Sequence, residues 1–139
     1  MTASEQQQLV EDYVLIENPQ ERFGLLVARS SPLAPLEEAE KIDENLVPGC
    51  ISQVWLAGSL EDGRCRFRVQ GDSTVVHAVA ALLCEWFDGL TPEEVLNSPK
   101  NLLDQLKISS QLSPTRRRGM GQVVTKICSL AESWHSTPS

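Results

Sequence analysis

The sequence has no long apolar run, and this absence limits what the chain can be. Its longest apolar stretch, residues 75–84, is interrupted by His77. It is far shorter than the roughly 20 residues that a membrane-spanning helix needs. The first twelve residues have neither a basic segment nor an apolar core, so they predict no secretory signal or transit peptide. We therefore expect a cytoplasmic protein that does not bind a membrane.

Positive charge is in the minority. Twelve Lys and Arg residues stand against nineteen Asp and Glu residues, which gives a net charge of -7 and argues against nucleic-acid binding. The excess acid lies in the first half of the chain. Its densest cluster, here called the acidic segment, consists of Glu37, Glu38, Glu40, Asp43 and Glu44. This segment is either a solvated connection or one side of a charged docking surface.

Motifs for a resident metal or cofactor are also missing. The four cysteines form no Cys-x-x-Cys pair and the two histidines lie far apart, so no zinc site or thioredoxin-like motif is predicted. There is no glycine-rich phosphate loop. The polar neighbours of four lysines predict solvated surface: Lys41, Lys100, Lys107 and Lys126. We expect no metal and no cofactor of the chain's own.

What is present predicts one globular domain over residues 1–139, since 41% of the residues are hydrophobic and 22% are charged. Helical spacing predicts one helix over residues 4–17 with a capping box at Ser4, and a second from Asn18 to about Ser30. Residues 31–49 are expected to form a long loop.

Beyond this loop the polarity alternates with a period of two. Alternation over residues 53–57 and 64–69, with a turn at residues 61–63, predicts an antiparallel hairpin. Residues 75–87 are apolar almost all round and predict a buried central helix that ends at Gly89. Later helices are predicted to open at residues 91–92, 98–99 and 113–114. The predicted fold class is α+β: a small antiparallel sheet packed against the central helix, with flanking N- and C-terminal helices.

The cysteines differ in their local pattern. Cys65 is predicted on the inward face of its strand, Cys84 inside the apolar helix and Cys128 beside the apolar stripe of the last helix, so all three are expected to be core residues. Cys50 follows Pro48-Gly49 and precedes the first strand, where a thiol can be presented to a partner. From the pattern alone, a functional thiol and a half-buried loop thiol are equally open.

The sequence of residues 47–55, Val-Pro-Gly-Cys-Ile-Ser-Gln-Val-Trp, resembles the signature of the SufE-like proteins, the sulfur-acceptor partners of cysteine desulfurases in iron-sulfur cluster assembly. Later landmarks follow in the family's order: Gly-Asp-Ser at 71–73, Leu-Thr-Pro at 90–92 and Leu-Ser-Pro-Thr-Arg at 112–116. The resemblance covers roughly residues 5–134. The chain lacks the Lys-Gly pair expected in the central helix, which affects the identity of the partners more than the cysteine chemistry.

The resemblance implies that Cys50 accepts sulfur from the persulfide of a SufS-like cysteine desulfurase. It further implies that the chain stimulates this enzyme and delivers the sulfur to a scaffold such as a SufB-type complex. The chain is then an activator without independent enzyme activity. Its persulfide is transient, and the pyridoxal phosphate belongs to the desulfurase. The implied active loop or partner surface comprises Gly49, Ser52, Gln53, Trp55, Asp72 and Arg116.

Other interpretations stay open. The same carrier could supply tRNA thiolation or another thio-cofactor pathway. The chain could instead be a non-catalytic adaptor for the desulfurase, or a redox enzyme that pairs Cys50 with Cys65. No histidine lies near Cys50 in the sequence, so thiolate activation is expected from tertiary neighbours or from the partner. Val54 is predicted to be core, whereas Trp55 is either core or a shield over the loop.

The arginine run, residues 116–118, opens the last predicted helix. Positive charge at this end opposes the helix dipole. The run is therefore expected either to pair with the acidic segment or to contact an acidic patch on a partner.

Overall fold

The computed structural model describes residues 1–33, 35–49 and 53–135. The elements are, in chain order, α1 (Ala3–Val14), α2 (Pro19–Ser30), β1 (Val54–Glu61), β2 (Arg64–Gly71), α3 (Thr74–Phe87), α4 (Pro92–Asn97), α5 (Leu102–Gln105) and α6 (Pro114–His135). Short 3-10 turns cover Glu38–Glu40, Asp43–Asn45 and Ser109–Gln111. Within the described ranges, no helix has both the length and the apolar character needed to cross a membrane.

The two strands form an antiparallel hairpin in which Val54 lies opposite Gly71 and Glu61 lies opposite Arg64. Asp62 and Gly63 both have positive φ, as a tight two-residue hairpin turn requires. Side chains alternate between the two faces of the hairpin, and five of those on the inward face are almost fully buried: Val54, Leu56, Cys65, Phe67 and Val69. This face packs against α3. The predicted α+β fold, with its hairpin against a buried central helix, is confirmed.

Helices α2 and α6 both pack against α3 and complete the core. Helix α6 packs against α3, α4 and β1, and Trp134 near its end stacks on Phe67 with ring centroids 6.0 Å apart. Helix α2 packs against α3. The buried Arg22 of α2 donates to the carbonyls of Tyr13, Ile16 and Lys107, which fixes the turn between α1 and α2.

Two predicted features of the first helix are wrong, its N-cap and its C-terminal end. Thr2, not Ser4, caps α1: its hydroxyl accepts from the Glu5 N–H at 3.1 Å, and the Glu5 carboxylate accepts from the Thr2 N–H at 2.9 Å. The helix ends at Val14 rather than at residue 17. The predicted caps at Asn18 and Thr91 are confirmed.

Ser98 does not open a helix, although Pro99 follows it. It ends α4 with an extended backbone, φ -73° and ψ 151°, as is favoured before proline. The Lys100 ammonium then turns back and donates to the carbonyls of Val95, Leu96 and Ser98. Helix α5 therefore begins only at Leu102.

Candidate functional site

The chain that leads to residue 50 crosses the outward face of the hairpin. Pro35 forms a bridge with Val69 at the outer edge of β2, and Leu46 forms a bridge with Trp55 at the outer edge of β1. The segment between these bridges thus passes over the side chains that β1 and β2 direct away from the core. Within the loop predicted over residues 31–49, the segment 35–46 is here called the strap; it contains two 3-10 turns.

Two charged contacts hold this strap to the hairpin. The Glu40 carboxylate binds the Arg68 guanidinium of β2 with an Nη2 to Oε2 distance of 2.7 Å, and this contact lowers the pKa of Glu40 and raises that of Arg68. The Lys41 Nζ lies 5.8 Å from the ring centroid of Trp55. The acidic segment is therefore more than a solvated connection, because one of its carboxylates anchors it.

Helix α6 holds the strap from its other end. The Lys126 ammonium donates to the carbonyls of Glu44 at 2.8 Å and Leu46 at 3.3 Å, and burial lowers its pKa. The prediction that Lys126 is solvated surface is wrong, because its face of α6 meets the strap. No sequence signal could have found this contact, which joins residues about eighty positions apart.

Gly49 is exposed and is needed for two reasons. Its φ of +81° lies in the left-handed region, which favours glycine. A Cβ built there would also lie 3.3 Å from Cγ of Gln122 on α6. The glycine therefore permits both the turn and the close approach of α6 directly before residue 50.

The chain on the far side of residues 50–52 is equally fixed. The Asp72 N–H donates to the Gln53 carbonyl at 3.1 Å, and the Val47 N–H donates to the Val54 carbonyl at 2.8 Å. The two segments that flank residues 50–52 are thus hydrogen-bonded to each other. Cys50 and Ser52, both predicted site residues, lie outside the described residues.

The structure brings several other predicted site residues together. Gln53 and Asp72 are both exposed and adjoin each other through the hydrogen bond above. Trp55 lies half-buried on the outward face beside Leu46, so it is not a core residue. Val54 is fully buried, as predicted.

Arg116 is not joined to this group by any ion pair within the described ranges. It is exposed, and its backbone N–H donates to the Ser113 hydroxyl at 3.2 Å. Helical geometry places Arg118 on the Gln122 face of α6 and Arg116 about 120° away from it. Arg117 lines a separate cavity of about 330 Å³ with Lys100 and Met120.

Of the two interpretations of the arginine run, pairing with the acidic segment is not observed among the described residues. All three arginines are exposed. In the part of the chain that the structure describes, the ion pair of Glu40 goes to Arg68 and that of Glu38 goes to Lys41. The positive charge at the start of α6 is therefore left facing solvent.

The three described cysteines are poor nucleophiles. Burial, followed by the charge of Asp88, raises the pKa of Cys65 to about 11 and also raises that of Cys84. Burial is the largest cause of the raised pKa of the half-buried Cys128. A thiol with a raised pKa holds little thiolate at neutral pH, which argues against a redox pair that uses Cys65.

No group of three or more His, Cys, Asp or Glu side chains in the described ranges is arranged to hold a metal ion. His77 instead hydrogen-bonds to the backbone through both ring nitrogens.

Comparison with known proteins identifies the family. Residues 7–131 match the family model "SufE: Fe-S metabolism associated domain". An uncharacterized SufE-like protein of Synechocystis is 32% identical over 111 residues, which is 80% of this chain and 70% of that protein. The chloroplastic SufE-like protein 2 of Arabidopsis thaliana is 34% identical over 72% of this chain and 39% of its own length.

Two further matches extend the comparison. The chloroplastic quinolinate synthase of Nicotiana tabacum is 31% identical over 94% of this chain, but over only 17% of its own length. The solution structure of a hypothetical protein from Thermus thermophilus has a TM-score of 0.80 at 19% identity, with 99% of this chain and 100% of that chain covered. This last match supports the fold. By its family match and its Synechocystis relative, the chain belongs to the SufE family, which is associated with iron-sulfur metabolism.

Proposed function

We propose that this chain accepts sulfur on Cys50 from the persulfide of a cysteine desulfurase and passes it to a scaffold for iron-sulfur cluster assembly. The observation that carries the proposal is the contrast among the thiols. Cys65, Cys84 and Cys128 have raised pKa values, whereas Cys50 follows the exposed Gly49 in the family signature. The family's link to Fe-S metabolism supports the same assignment.

The transfer is a thiol exchange. The Cys50 thiolate attacks the outer sulfur of the donor persulfide; a sulfur-sulfur bond forms on Cys50, the donor's sulfur-sulfur bond breaks, and the donor leaves as a thiolate. No net oxidation occurs, so the step needs no oxidant. The chain itself needs no cofactor for this step, since pyridoxal phosphate chemistry belongs to the desulfurase that makes the persulfide.

A partner would approach the exposed residues that flank Cys50. Gly49, Gln53 and Asp72 are all exposed, and charged groups lie further out in the arginine run and in the acidic segment. We propose a SufS-like desulfurase as the donor, a SufB-type complex as the acceptor and the cytoplasm as the location. The chain stimulates the desulfurase because it removes the enzyme's persulfide and so frees its thiol for another turnover.

Intact mass spectrometry tests the proposal directly. The purified chain is incubated with a SufS-like desulfurase and cysteine without reductant, and we expect a gain of one or more sulfur atoms that a reductant removes. Cys50→Ser should gain none and should not stimulate the enzyme, while its stability should stay within about 0.5 kcal/mol of wild type. Cys128→Ser is the matched control and should still gain sulfur.

Two results would contradict the proposal. If wild type gains no sulfur, the chain is not a carrier. If Cys50→Ser stimulates the desulfurase as strongly as wild type does, the adaptor interpretation is correct and Cys50 is dispensable.

A further inference from the structure

We propose that His77 is a positioning residue for Cys50: it fixes the backbone to which the chain after Cys50 is hydrogen-bonded. This inference rests on the proposed function. His77 lies in the first turns of α3 and takes no part in the thiol exchange itself. Its role is carried by two hydrogen bonds, one accepted by its ring and one donated by it, that join it to two other segments.

Both ring nitrogens of His77 are engaged with backbone. The Gly71 N–H, at the end of β2, donates to Nδ1 at 3.0 Å. Nδ1 must therefore be unprotonated, which places the ring proton on Nε2. Nε2 then donates to the Ser31 carbonyl, at the end of α2, at 3.1 Å. The neutral ring joins the ends of α2 and β2 to the start of α3.

The Gly71 end of this network leads to the site. Gly71 pairs with Val54, the first residue of β1, and the next residue, Asp72, donates its N–H to the Gln53 carbonyl. Gln53 and Val54 are the first described residues after Cys50. If residues 71–72 shifted relative to α3, Gln53 and Val54 would therefore shift with them.

The approach of β2 to α3 at this point is close. A Cβ on Gly71 would lie 3.1 Å from both N and Cα of His77, so glycine lets the strand end meet the helix backbone. The ring then supplies the acceptor that the Gly71 N–H needs.

The hydrogen bond to Ser31 concerns the chain that precedes Cys50. Ser31 caps α2 and opens the connection that continues into the strap over the hairpin, which is held further along by Glu40 and Lys126. The His77 ring thus contacts Ser31, where the connection toward Cys50 begins, and Gly71, which pairs with Val54 on the other side of Cys50. Placement of a nucleophile to within about 1 Å can change a rate by about a hundredfold.

Three variants separate the two hydrogen bonds. His77→Leu removes both. His77→Asn keeps an acceptor near the Nδ1 position, and His77→Gln keeps a donor near the Nε2 position. The rate of sulfur gain is measured by intact mass at increasing concentrations of each variant with a fixed amount of SufS-like desulfurase.

We expect His77→Leu to lower the maximal rate about tenfold while its half-saturating concentration stays within about twofold of wild type. His77→Asn should recover most of the rate, and His77→Gln should not, since the Gly71 bond is the one that leads to Gln53. Val76→Ala is the matched control: it truncates a neighbouring core residue, lowers stability and should leave the maximal rate unchanged.

Nuclear magnetic resonance gives a second readout. The nitrogen shifts of the His77 ring in wild type should show a neutral ring protonated on Nε2, and the Gly71 amide resonance should move in His77→Gln but little in His77→Asn. If His77→Leu fails to fold, the Asn and Gln variants still decide the question.

The inference is overturned if all three variants transfer sulfur at the wild-type maximal rate, or if Val76→Ala slows transfer as much as His77→Leu does. If wild type gains no sulfur, the proposed function fails instead. In that case a ring protonated on Nδ1 would overturn the hydrogen-bond assignment independently.

Discussion

The two faces of the β-hairpin are built from alternating residues of the same strands, yet one face contacts helices and the other contacts the strap. The inward face packs Leu56, Phe67 and Val69 against α3 and α6 with almost no exposure. The outward face carries Trp55 and Arg68, which hold the strap through a cation-π contact and an ion pair. Apolar packing thus holds the inward face against the helices, and contacts of two charged side chains hold the strap on the outward face.

The contacts that stabilise the fold are therefore different from the contacts that hold the strap. Buried apolar area supplies most of the folding free energy, so the inward face holds the fold together. Partly exposed ion pairs contribute little to stability, yet they hold the segment that leads to Cys50. Substitutions on the two faces should therefore have different consequences, and the following predictions test that separation.

The largest effect is expected on the inward face. Phe67→Ala should lower the free energy of unfolding by about 3–5 kcal/mol, because the ring is buried and stacks on Trp134. Trp55→Ala, its counterpart on the outward face, should cost about 1–2 kcal/mol. Denaturant titration measures both, and equal costs would show that the two faces contribute alike.

A smaller loss is expected from Cys84→Ser. This change places a hydroxyl in the apolar interior of α3, where Cys84 is fully buried, and should cost about 1–3 kcal/mol. Cys128→Ser, at a half-buried position, should cost less. An unchanged melting temperature for Cys84→Ser would contradict the placement of the core.

On the outward face, Glu40→Gln should lower stability by about 1 kcal/mol or less at neutral pH, since both partners of the ion pair are partly exposed. Arg68 lowers the pKa of Glu40 in the folded state. The contribution of the carboxylate is therefore complete above its unfolded pKa and is lost as the pH falls through the lower folded pKa.

The difference between wild type and Glu40→Gln should accordingly vanish in acid. Unfolding measured from neutral to acidic pH checks this. Glu44→Gln is the control: it removes another carboxylate of the same segment, one without an ion pair among the described residues, and its stability should stay close to that of wild type. A difference that persists in strong acid would mean that the Arg68 contact is not its source.

The smallest effect on stability, but a distinct one on recognition, is expected from Arg116→Glu combined with Arg117→Glu. Stability should stay within about 0.5 kcal/mol. Association with the desulfurase should slow and lose part of its salt dependence, because exposed charges act on the encounter rate and are screened over about 8 Å at physiological ionic strength. Sulfur transfer at saturating partner should survive.

Association rates at two salt concentrations measure this effect. Arg64→Glu combined with Lys107→Glu makes the same change in net charge elsewhere and serves as the control. If the arginine variant associates as fast as wild type at low salt, the run does not dock the partner, and the acidic segment becomes the better candidate.

Much of the fold follows from local pattern. The alternation around Cys65 and Phe67 predicts the hairpin, because a strand directs successive side chains to opposite faces. The caps at Asn18 and Thr91 follow from side chains that satisfy free N–H groups. The predicted helix start at Ser98 is wrong because an extended serine before proline fits either end of a helix; here Ser98 ends α4, and α5 begins at Leu102.

The candidate site could be predicted less completely. The motif around Cys50 identifies the segment, and Gln53 and Asp72 do meet at its exit. Lys126 and His77 carry no local signal that points to a site: both lie in helices among largely apolar neighbours. That Cys50 carries sulfur remains a prediction.

The sequence by itself determined the hairpin, the buried helix α3 and the family, because these depend on the order of residues within short stretches. Only the tertiary structure decided which side chains hold the strap that precedes Cys50 and whether the arginine run is paired. Those outcomes depend on how α6 and the hairpin pack against a strap that lies far from α6 in sequence, as the bond from Lys126 to Glu44 shows. A single bond of that kind leaves no periodicity in the sequence, since it is set by the packing of whole elements.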